Sequence, residues 1–183
     1  MEIENQYPIG PASFVDFSTA AKESALGDIQ FLPNALEAAI LNLDEAQLQT
    51  PYRKGGWTVN QVVHHVADSH MNAYIRFKLG LTEATPTIKP YEEQLWAELK
   101  DVASIPINVS ITLLFALHQR WYAALKDLDD AAWERTVFHP ASQKELSLWY
   151  LLQMYAWHGR HHVAQINGLR EKMKGGIGSW LKG

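Results

Sequence analysis

Apolar residues recur at three- and four-residue spacing in four long stretches of the chain, which is the pattern of helices that bury one face. The first stretch predicts a helix from about Ser18 to Leu43, and Pro33 inside it predicts a kink or a restart. Thr58 and Gln61 have the spacing of a capping box, so a second helix should begin at Val59 and run to about Leu79. These two segments already favour an all-α fold.

The second half of the chain predicts two more long helices. In chain order the further elements are a loop over residues 81–92, a short helix from Glu92 to Leu99, a third long helix from about Val109 to Leu125, a small hairpin or irregular loop over Thr136–Leu146, and a fourth long helix from Leu148 to Lys174. Ser147 should cap the fourth helix and Gly175-Gly176 should end it. We therefore expect one four-helix-bundle domain over residues 1–183 with long inter-helix connections, an N-terminal arm over 1–12 and a tail over 175–183 that contains Trp180.

Composition narrows the function classes. The chain has 183 residues, 47% apolar and 20% charged, with a formal net charge of −4, which is typical of a globular domain and unlike a nucleic-acid-binding protein. It has no cysteine, so disulfides, thiolate metal sites and a cysteine nucleophile are excluded. The acidic start is unlike a signal peptide, and the longest uncharged stretch, Val102–Leu117, is too short to span a membrane. We expect a cytoplasmic protein that binds neither nucleic acid nor a membrane.

The eight histidines are the candidate chemistry, because histidine is the commonest metal ligand in proteins. On the fourth helix, His158 and His162 fall within the apolar stripe and one turn apart, whereas His161 points away from that stripe. Two inward imidazoles at this spacing can bind one ion, although they could instead be hydrogen-bonded core residues. Gly159 follows His158 where the helix motif of metalloproteases has its catalytic glutamate, so that protease class is not indicated.

The second helix offers a third ligand. His65 lies at the edge of the buried stripe, while His64 points away and is expected to be exposed or to support a ligand from outside. Asp68, one turn later, could orient an imidazole or could be a solvated surface charge. His70 falls within the stripe, and its role is left open. On the third helix His118 lies in the apolar stripe and is a competing ligand or a proton shuttle.

An ordered set of motifs resembles the DinB-like superfamily, in particular its YfiT branch of metal-dependent enzymes. The motifs are Tyr7-Pro8-Ile9-Gly10, the stretch from Thr50-Pro51-Tyr52 through Gly55-Gly56-Trp57-Thr58 to His64-His65, Ala67-Asp68-Ser69-His70, Leu117-His118, His139-Pro140, and Trp157-His158 with His161-His162. The resemblance implies a four-helix bundle and a homodimer in the cytoplasm. It also implies one divalent metal ion on His65, His158 and His162, as zinc or nickel, and a small-molecule substrate.

Two reactions suit such a centre. A metal ion with an open position can lower the pKa of water for hydrolysis, or it can present a low-molecular-weight thiol of the bacillithiol type as a thiolate for S-transfer, as some relatives do. The candidate catalytic groups are Asp68, His118 and His161. The alternatives are a non-catalytic metal-binding dimer with a structural ion and an interaction module without a metal.

Overall fold

The computed structural model describes residues 6–174, which form a four-helix bundle with one small hairpin. The elements in chain order are α1 (Thr19–Ile40), α2 (Glu45–Leu48), α3 (Val59–Thr82), α4 (Glu93–Trp96), α5 (Lys100–Ser104), α6 (Ile107–Leu125), α7 (Asp130–Glu134), β1 (Thr136–His139), β2 (Lys144–Ser147) and α8 (Leu148–Lys174). The long helices α1, α3, α6 and α8 build the bundle, which confirms the predicted fold class. The expected helix end at Gly175-Gly176 and the tail with Trp180 lie outside the described residues.

Both predicted caps are present at the helices that carry most of the histidines. The Thr58 hydroxyl accepts a hydrogen bond from the backbone N–H of Gln61 at 3.1 Å, and the Gln61 side chain accepts one from the backbone N–H of Thr58 at 3.0 Å. The Ser147 hydroxyl accepts from the backbone N–H of Tyr150 at 3.0 Å. Because caps satisfy backbone donors that have no partner within the helix, they fix where α3 and α8 begin.

The structure differs from the predicted elements in three respects. Of the two alternatives expected at Pro33, a kink or a restart, the restart does not occur: α1 continues through Pro33, because proline removes one backbone hydrogen bond and leaves the rest of the helix to be held by packing. The short helix expected over 92–99 is α4, and the separate helix α5 follows it. Helices α2, α5 and α7, of four or five residues each, were not predicted, since they are too short to show an apolar period.

The long helices are not arranged in simple chain order. Helix α1 packs against α6 and α8, and α3 packs against the same two helices, so α1 and α3 lie across the bundle from each other. Consecutive long helices α1 and α3 therefore need a connection that crosses the bundle, as do α6 and α8. The first of these crossing connections contains α2, and the second contains α7 and the hairpin.

The bundle core consists of two apolar clusters. One contains Phe77, Trp121 and Leu152 and lies toward the hairpin, while the other contains Leu36, Val62 and Ile166. In sequence, four inward histidines fall between the residues of the first cluster and those of the second, namely His70, His118, His158 and His162, whereas His65 lies at the edge of the second cluster, just before Val66 and Ala67. The histidines therefore form a polar layer between two apolar layers, where each of them needs a hydrogen-bond partner or an ion.

Two further contacts close the fold around α8. The strands of the hairpin pair antiparallel, with Thr136 opposite Ser147, and the N-terminal segment lies along α8. Trp157 donates its indole N–H to the carbonyl of Gly10 at 3.2 Å, and Trp149 donates to the carbonyl of Val15 at 2.9 Å.

Across residues 6–174 no single helix has the length and composition to cross a bilayer, although the bent pair Glu93–Ser104 and Ile107–Leu125, at 115°, meets that criterion jointly.

Candidate metal centre

Three histidine side chains converge in the polar layer. His65 comes from α3, and His158 and His162 come from successive turns of α8. The Nε2 atom of His158 lies 3.2 Å from Nε2 of His65 and 3.2 Å from Nε2 of His162. One ligand atom from each of the three residues lies within 4.8 Å of the others, and each ring is largely buried. The sequence-predicted trio is thus brought together at one point.

These distances fit a divalent ion. A tetrahedral zinc ion with Zn–N bonds of about 2.0–2.1 Å separates its ligand nitrogens by about 3.3 Å. The two Nε2–Nε2 distances of 3.2 Å match that spacing. Within the described residues the group contains three side chains, so one tetrahedral position is left for a water or a substrate atom.

A hydrogen bond from His162 to Gln165 fixes the tautomer of His162. The Gln165 amide nitrogen donates to the backbone carbonyl of Gln6 at 3.1 Å and to Nε2 of His161 at 2.8 Å. Its amide oxygen therefore faces Nδ1 of His162 at 2.9 Å and accepts a hydrogen bond from it. A neutral imidazole carries one N–H, so Nε2 of His162 presents a lone pair to the centre.

His158 also has a partner on its outer nitrogen. Its Nδ1 lies 3.1 Å from Nε2 of His70, which is fully buried on α3. His118 on α6 does not belong to the three-histidine group, and its Nε2 lies 3.0 Å from Nδ1 of His70. It is therefore connected to the centre only through His70. The role that the sequence left open for His70 is therefore a contact with the outer nitrogen of a candidate ligand.

Burial keeps these imidazoles neutral, which is the form that binds metals. Removal from water disfavours the charged form and lowers the pKa of His65 to about 4. It holds the pKa of His158 and of His162 well below the ordinary value, and neighbouring histidines lower both further. At neutral pH the lone pairs needed for coordination are therefore free of protons.

His64 is not exposed, contrary to the expectation from its position on the helix. It is 6% exposed, with Nδ1 2.8 Å from the Ser110 hydroxyl and Nε2 3.1 Å from the carbonyl of Ile105. The segment that joins α5 to α6 covers this face of α3. Both ring nitrogens of His64 contact groups outside the three-histidine centre. Of the two adjacent histidines, His65 is the one that belongs to the centre.

Asp68 lies on α3 one turn after His65 and is half-buried beside Asp101 and Tyr91. Burial, and then the charge of Asp101, raise the pKa of Asp68 to about 6. A carboxyl group with such a pKa exchanges a proton near neutral pH, which a fully solvated aspartate does not. Asp68 was expected either to orient an imidazole or to be a solvated surface charge. In the structure it is neither hydrogen-bonded to a candidate ligand ring nor fully solvated.

His161 is buried, although it lies off the apolar stripe of α8. Its ring stacks on Trp157 with centroids 4.6 Å apart and lies 5.6 Å from the ring of Tyr7. The N-terminal segment therefore covers a face that helical periodicity assigns to solvent. His161 does not belong to the three-histidine group. It accepts a hydrogen bond from Gln165, the residue that holds His162.

The sequence did not identify Gln165 as part of the site, and it left the role of His70 open. Gln165 follows His162 by three positions, a spacing at which side chains on a helix meet, so this signal was available. The contact of His70 with His158 joins two different helices, and no spacing within one helix reveals it.

Comparison with known proteins agrees with this geometry. The family model for the DinB superfamily matches residues 29–166. A Bacillus mycoides protein named "putative metal-dependent hydrolase" is 52% identical over 92% of this chain and 96% of its own length, and a Bacillus cereus protein of the same name is 50% identical over the same shares.

A solved structure is also similar to this fold. YfiT from Bacillus subtilis, described as "a probable metal-dependent hydrolase with an unusual four-helix bundle topology", superposes with a TM-score of 0.91 at 44% identity, over 93% of this chain and 98% of that one. The family match, the relatives and the shared fold lead to one conclusion. The chain belongs to the DinB superfamily.

Proposed function

We propose that this protein is a metal-dependent hydrolase of a small molecule, with one zinc ion held by His65, His158 and His162. The names of its relatives support the reaction class, and the histidine group supports the metal. When bound, the ion would supply Lewis-acid chemistry and lower the pKa of a water in its open position.

The observation that carries the proposal is the convergence of the three imidazoles, with the two Nε2 atoms from α8 only 3.2 Å apart. Nε2 of His162 presents a lone pair there because Nδ1 of His162 donates its hydrogen to the Gln165 amide oxygen. If His158 also carries its proton on Nδ1, no proton lies between the two atoms. Two lone pairs at this separation repel each other unless a cation lies between them.

An open position favours catalysis over a structural ion. Structural zinc sites are usually closed by four protein ligands, whereas catalytic sites have three and retain an exchangeable position. The described group has three histidines and no carboxylate or thiolate among its members. This count supports the enzyme over the metal-binding dimer in which the ion only stabilises the fold.

We assign the proton-accepting role to Asp68, which is half-buried and follows the candidate ligand His65 by one turn of α3. Its raised pKa of about 6 suits a group that takes a proton and releases it near neutral pH. His118 and His161 are the other candidates from the sequence, and their contacts with His70 and Gln165 support a role in holding the ligands. Substitution Asp68→Asn should therefore lower kcat while the metal content stays near that of the wild type.

The first experiment is metal content by elemental analysis of the purified protein after zinc reconstitution. We expect about one zinc per chain, lost in His162→Ala and retained in the control His139→Ala, whose histidine lies in the hairpin. A stoichiometric zinc content in His162→Ala would exclude the assigned ligands.

A panel of small esters, amides and electrophiles, assayed with and without an added low-molecular-weight thiol, then tests the reaction. Turnover in water alone supports the hydrolase. Turnover that requires the thiol would show that the reaction is S-transfer and not hydrolysis. Zinc binding with a large gain in thermal stability but no turnover would favour an ion that only stabilises the fold. Nickel as the native metal, the homodimer and the cytoplasmic location stay predictions from the sequence.

A further inference from the structure

A single file of hydrogen bonds joins the backbone of α1 to His158. The carbonyl of Ile29 lies 2.5 Å from Nδ1 of His118 on α6. Nε2 of His118 lies 3.0 Å from Nδ1 of His70 on α3, and Nε2 of His70 lies 3.1 Å from Nδ1 of His158 on α8. The file thus passes through all four long helices and ends on a candidate metal ligand.

The first member of the file sets the direction of every proton in it. A carbonyl oxygen only accepts, so Nδ1 of His118 carries the hydrogen and Nε2 of His118 is a lone pair. His70 must then donate from Nδ1, which leaves its own Nε2 as an acceptor. His158 in turn donates from Nδ1, and its Nε2 presents a lone pair to the centre.

Burial keeps the members of the file neutral, as this reasoning requires. Desolvation lowers the pKa of His118 to about 4, and that of the fully buried His70 lies well below the ordinary value. A second proton on either ring would place two donors face to face at one of the contacts. The geometry and the burial therefore agree on one N–H for each ring.

Pro33 explains why the Ile29 carbonyl is free to accept. In an α-helix the carbonyl of residue 29 accepts from the N–H of residue 33, and proline has no N–H. Pro33 lies inside α1, where it costs the helix one backbone hydrogen bond. His118 supplies the missing donor from the neighbouring helix.

We propose that His118 and His70 are positioning residues that hold His158 in the tautomer with Nε2 free for metal, and that Pro33 provides the carbonyl on which this file is anchored. The inference rests on the proposed metal function, which it deepens. Metal-binding histidines commonly donate their outer N–H directly to a carboxylate, a carbonyl or a water. Here two neutral imidazoles separate the ligand from the carbonyl, so the orientation is transmitted without adding negative charge beside the ion.

The test combines tautomer measurement with zinc affinity. Long-range proton–nitrogen spectra of protein labelled with ¹⁵N-histidine distinguish N–H from lone-pair nitrogens, and a His158→Ala spectrum assigns the ring of His158. In the wild type we expect the proton of His158 on Nδ1, both without metal and with zinc. Zinc affinity is measured by competition with a chromophoric chelator.

Three variants separate the file from general packing. His118→Phe retains an aromatic ring but offers His70 no acceptor, so we expect a mixed tautomer at His158 and a zinc affinity about 10- to 100-fold weaker. His118→Gln restores an oxygen that can accept from His70, and it should recover most of the affinity. His64→Phe is the matched control, because it removes a buried histidine with two contacts of its own that lies outside the file. It should leave the zinc affinity near that of the wild type.

The spectra also keep this inference separate from the proposed function. A proton on Nε2 of His158 in metal-free wild type would overturn the inference, whether or not the protein binds zinc or hydrolyses anything. Wild-type zinc affinity in folded His118→Phe would overturn it too. If His118→Phe does not fold by circular dichroism, His70→Gln takes its place. Glutamine can donate and accept at once, so this variant should retain the His158 tautomer, and loss of the tautomer there would contradict the transmission of orientation.

Discussion

Replacement of Gln165 by methionine tests the support of His162 and should weaken both metal binding and the fold. Gln165 is 4% exposed and makes three hydrogen bonds, to Nδ1 of His162, to Nε2 of His161 and to the carbonyl of Gln6. Methionine fills a similar volume and makes none of these bonds.

The expected loss of stability follows from the three bonds. At about 1 kcal/mol net for each, Gln165→Met should lower the free energy of unfolding of the metal-free protein by about 3 kcal/mol. For a domain of this size, that corresponds to a fall in Tm of about 6–12 °C. Loss of the partner that orients a ligand typically costs about 10- to 100-fold in metal affinity, which is about 1.4–2.7 kcal/mol.

Gln165→Glu is the matched control for the metal effect. A carboxylate oxygen can still accept from Nδ1 of His162, but glutamate cannot donate to His161 or to Gln6. We therefore expect zinc affinity close to that of the wild type together with a lowered Tm. Thermal denaturation of the metal-free proteins measures stability, and chelator competition measures affinity. Wild-type zinc affinity in Gln165→Met would refute the reasoning that this hydrogen bond sets the His162 tautomer.

Three further substitutions test the fold and the electrostatics. In Asp68→Asn the free energy of unfolding should rise more at pH 7.5 than at pH 5, by urea denaturation. The reason is that burial raises the folded-state pKa of Asp68 to about 6, above the ordinary value of 3.8, so the ionised carboxylate destabilises the folded protein, and this destabilisation declines as the pH falls through 6 and is lost only below 3.8. Equal effects at both pH values would contradict this. Thr58→Ala should cost about 1 kcal/mol through the lost cap of α3, and an unchanged denaturation midpoint would contradict it. Phe77→Ala, at a fully buried position, should cost about 3–5 kcal/mol in the same assay, and a loss below about 1 kcal/mol would show that the core closes around the gap.

Patterns within one helix were enough to predict the framework. Caps and apolar spacing are local, so Thr58 and Ser147 marked the starts of α3 and α8, and the periodicity brought His65, His158 and His162 to inward faces. The resemblance to a family pointed to the same three residues. A small hairpin or irregular loop was also predicted before α8, over Thr136–Leu146. The structure has a hairpin there, whose second strand ends one residue later, at Ser147.

Contacts between distant segments could not be predicted in this way. His64 is on the outer side of α3 by periodicity, and it is buried because an irregular segment near Ile105 packs over it. His161 is covered in the same way by the N-terminal segment. The hydrogen bonds that run from Ile29 through His118 and His70 to His158 join four helices. The spacing of residues within one helix does not show which helix faces meet across a bundle.

Gly159 shows how closely the helix that carries two ligands is confined. A Cβ atom at this position would lie 2.8 Å from both Cδ atoms of Leu32 on α1, so the residue after His158 faces a neighbouring helix at a distance that no larger side chain fits without movement. In helix-borne protease sites the corresponding position supplies the base. Here Gly159 permits close contact between α1 and α8, and the proton acceptor that we propose, Asp68, lies on α3 instead. A single glutamate at position 159 would therefore require the Leu32 side chain to move before any peptidase chemistry could be tested.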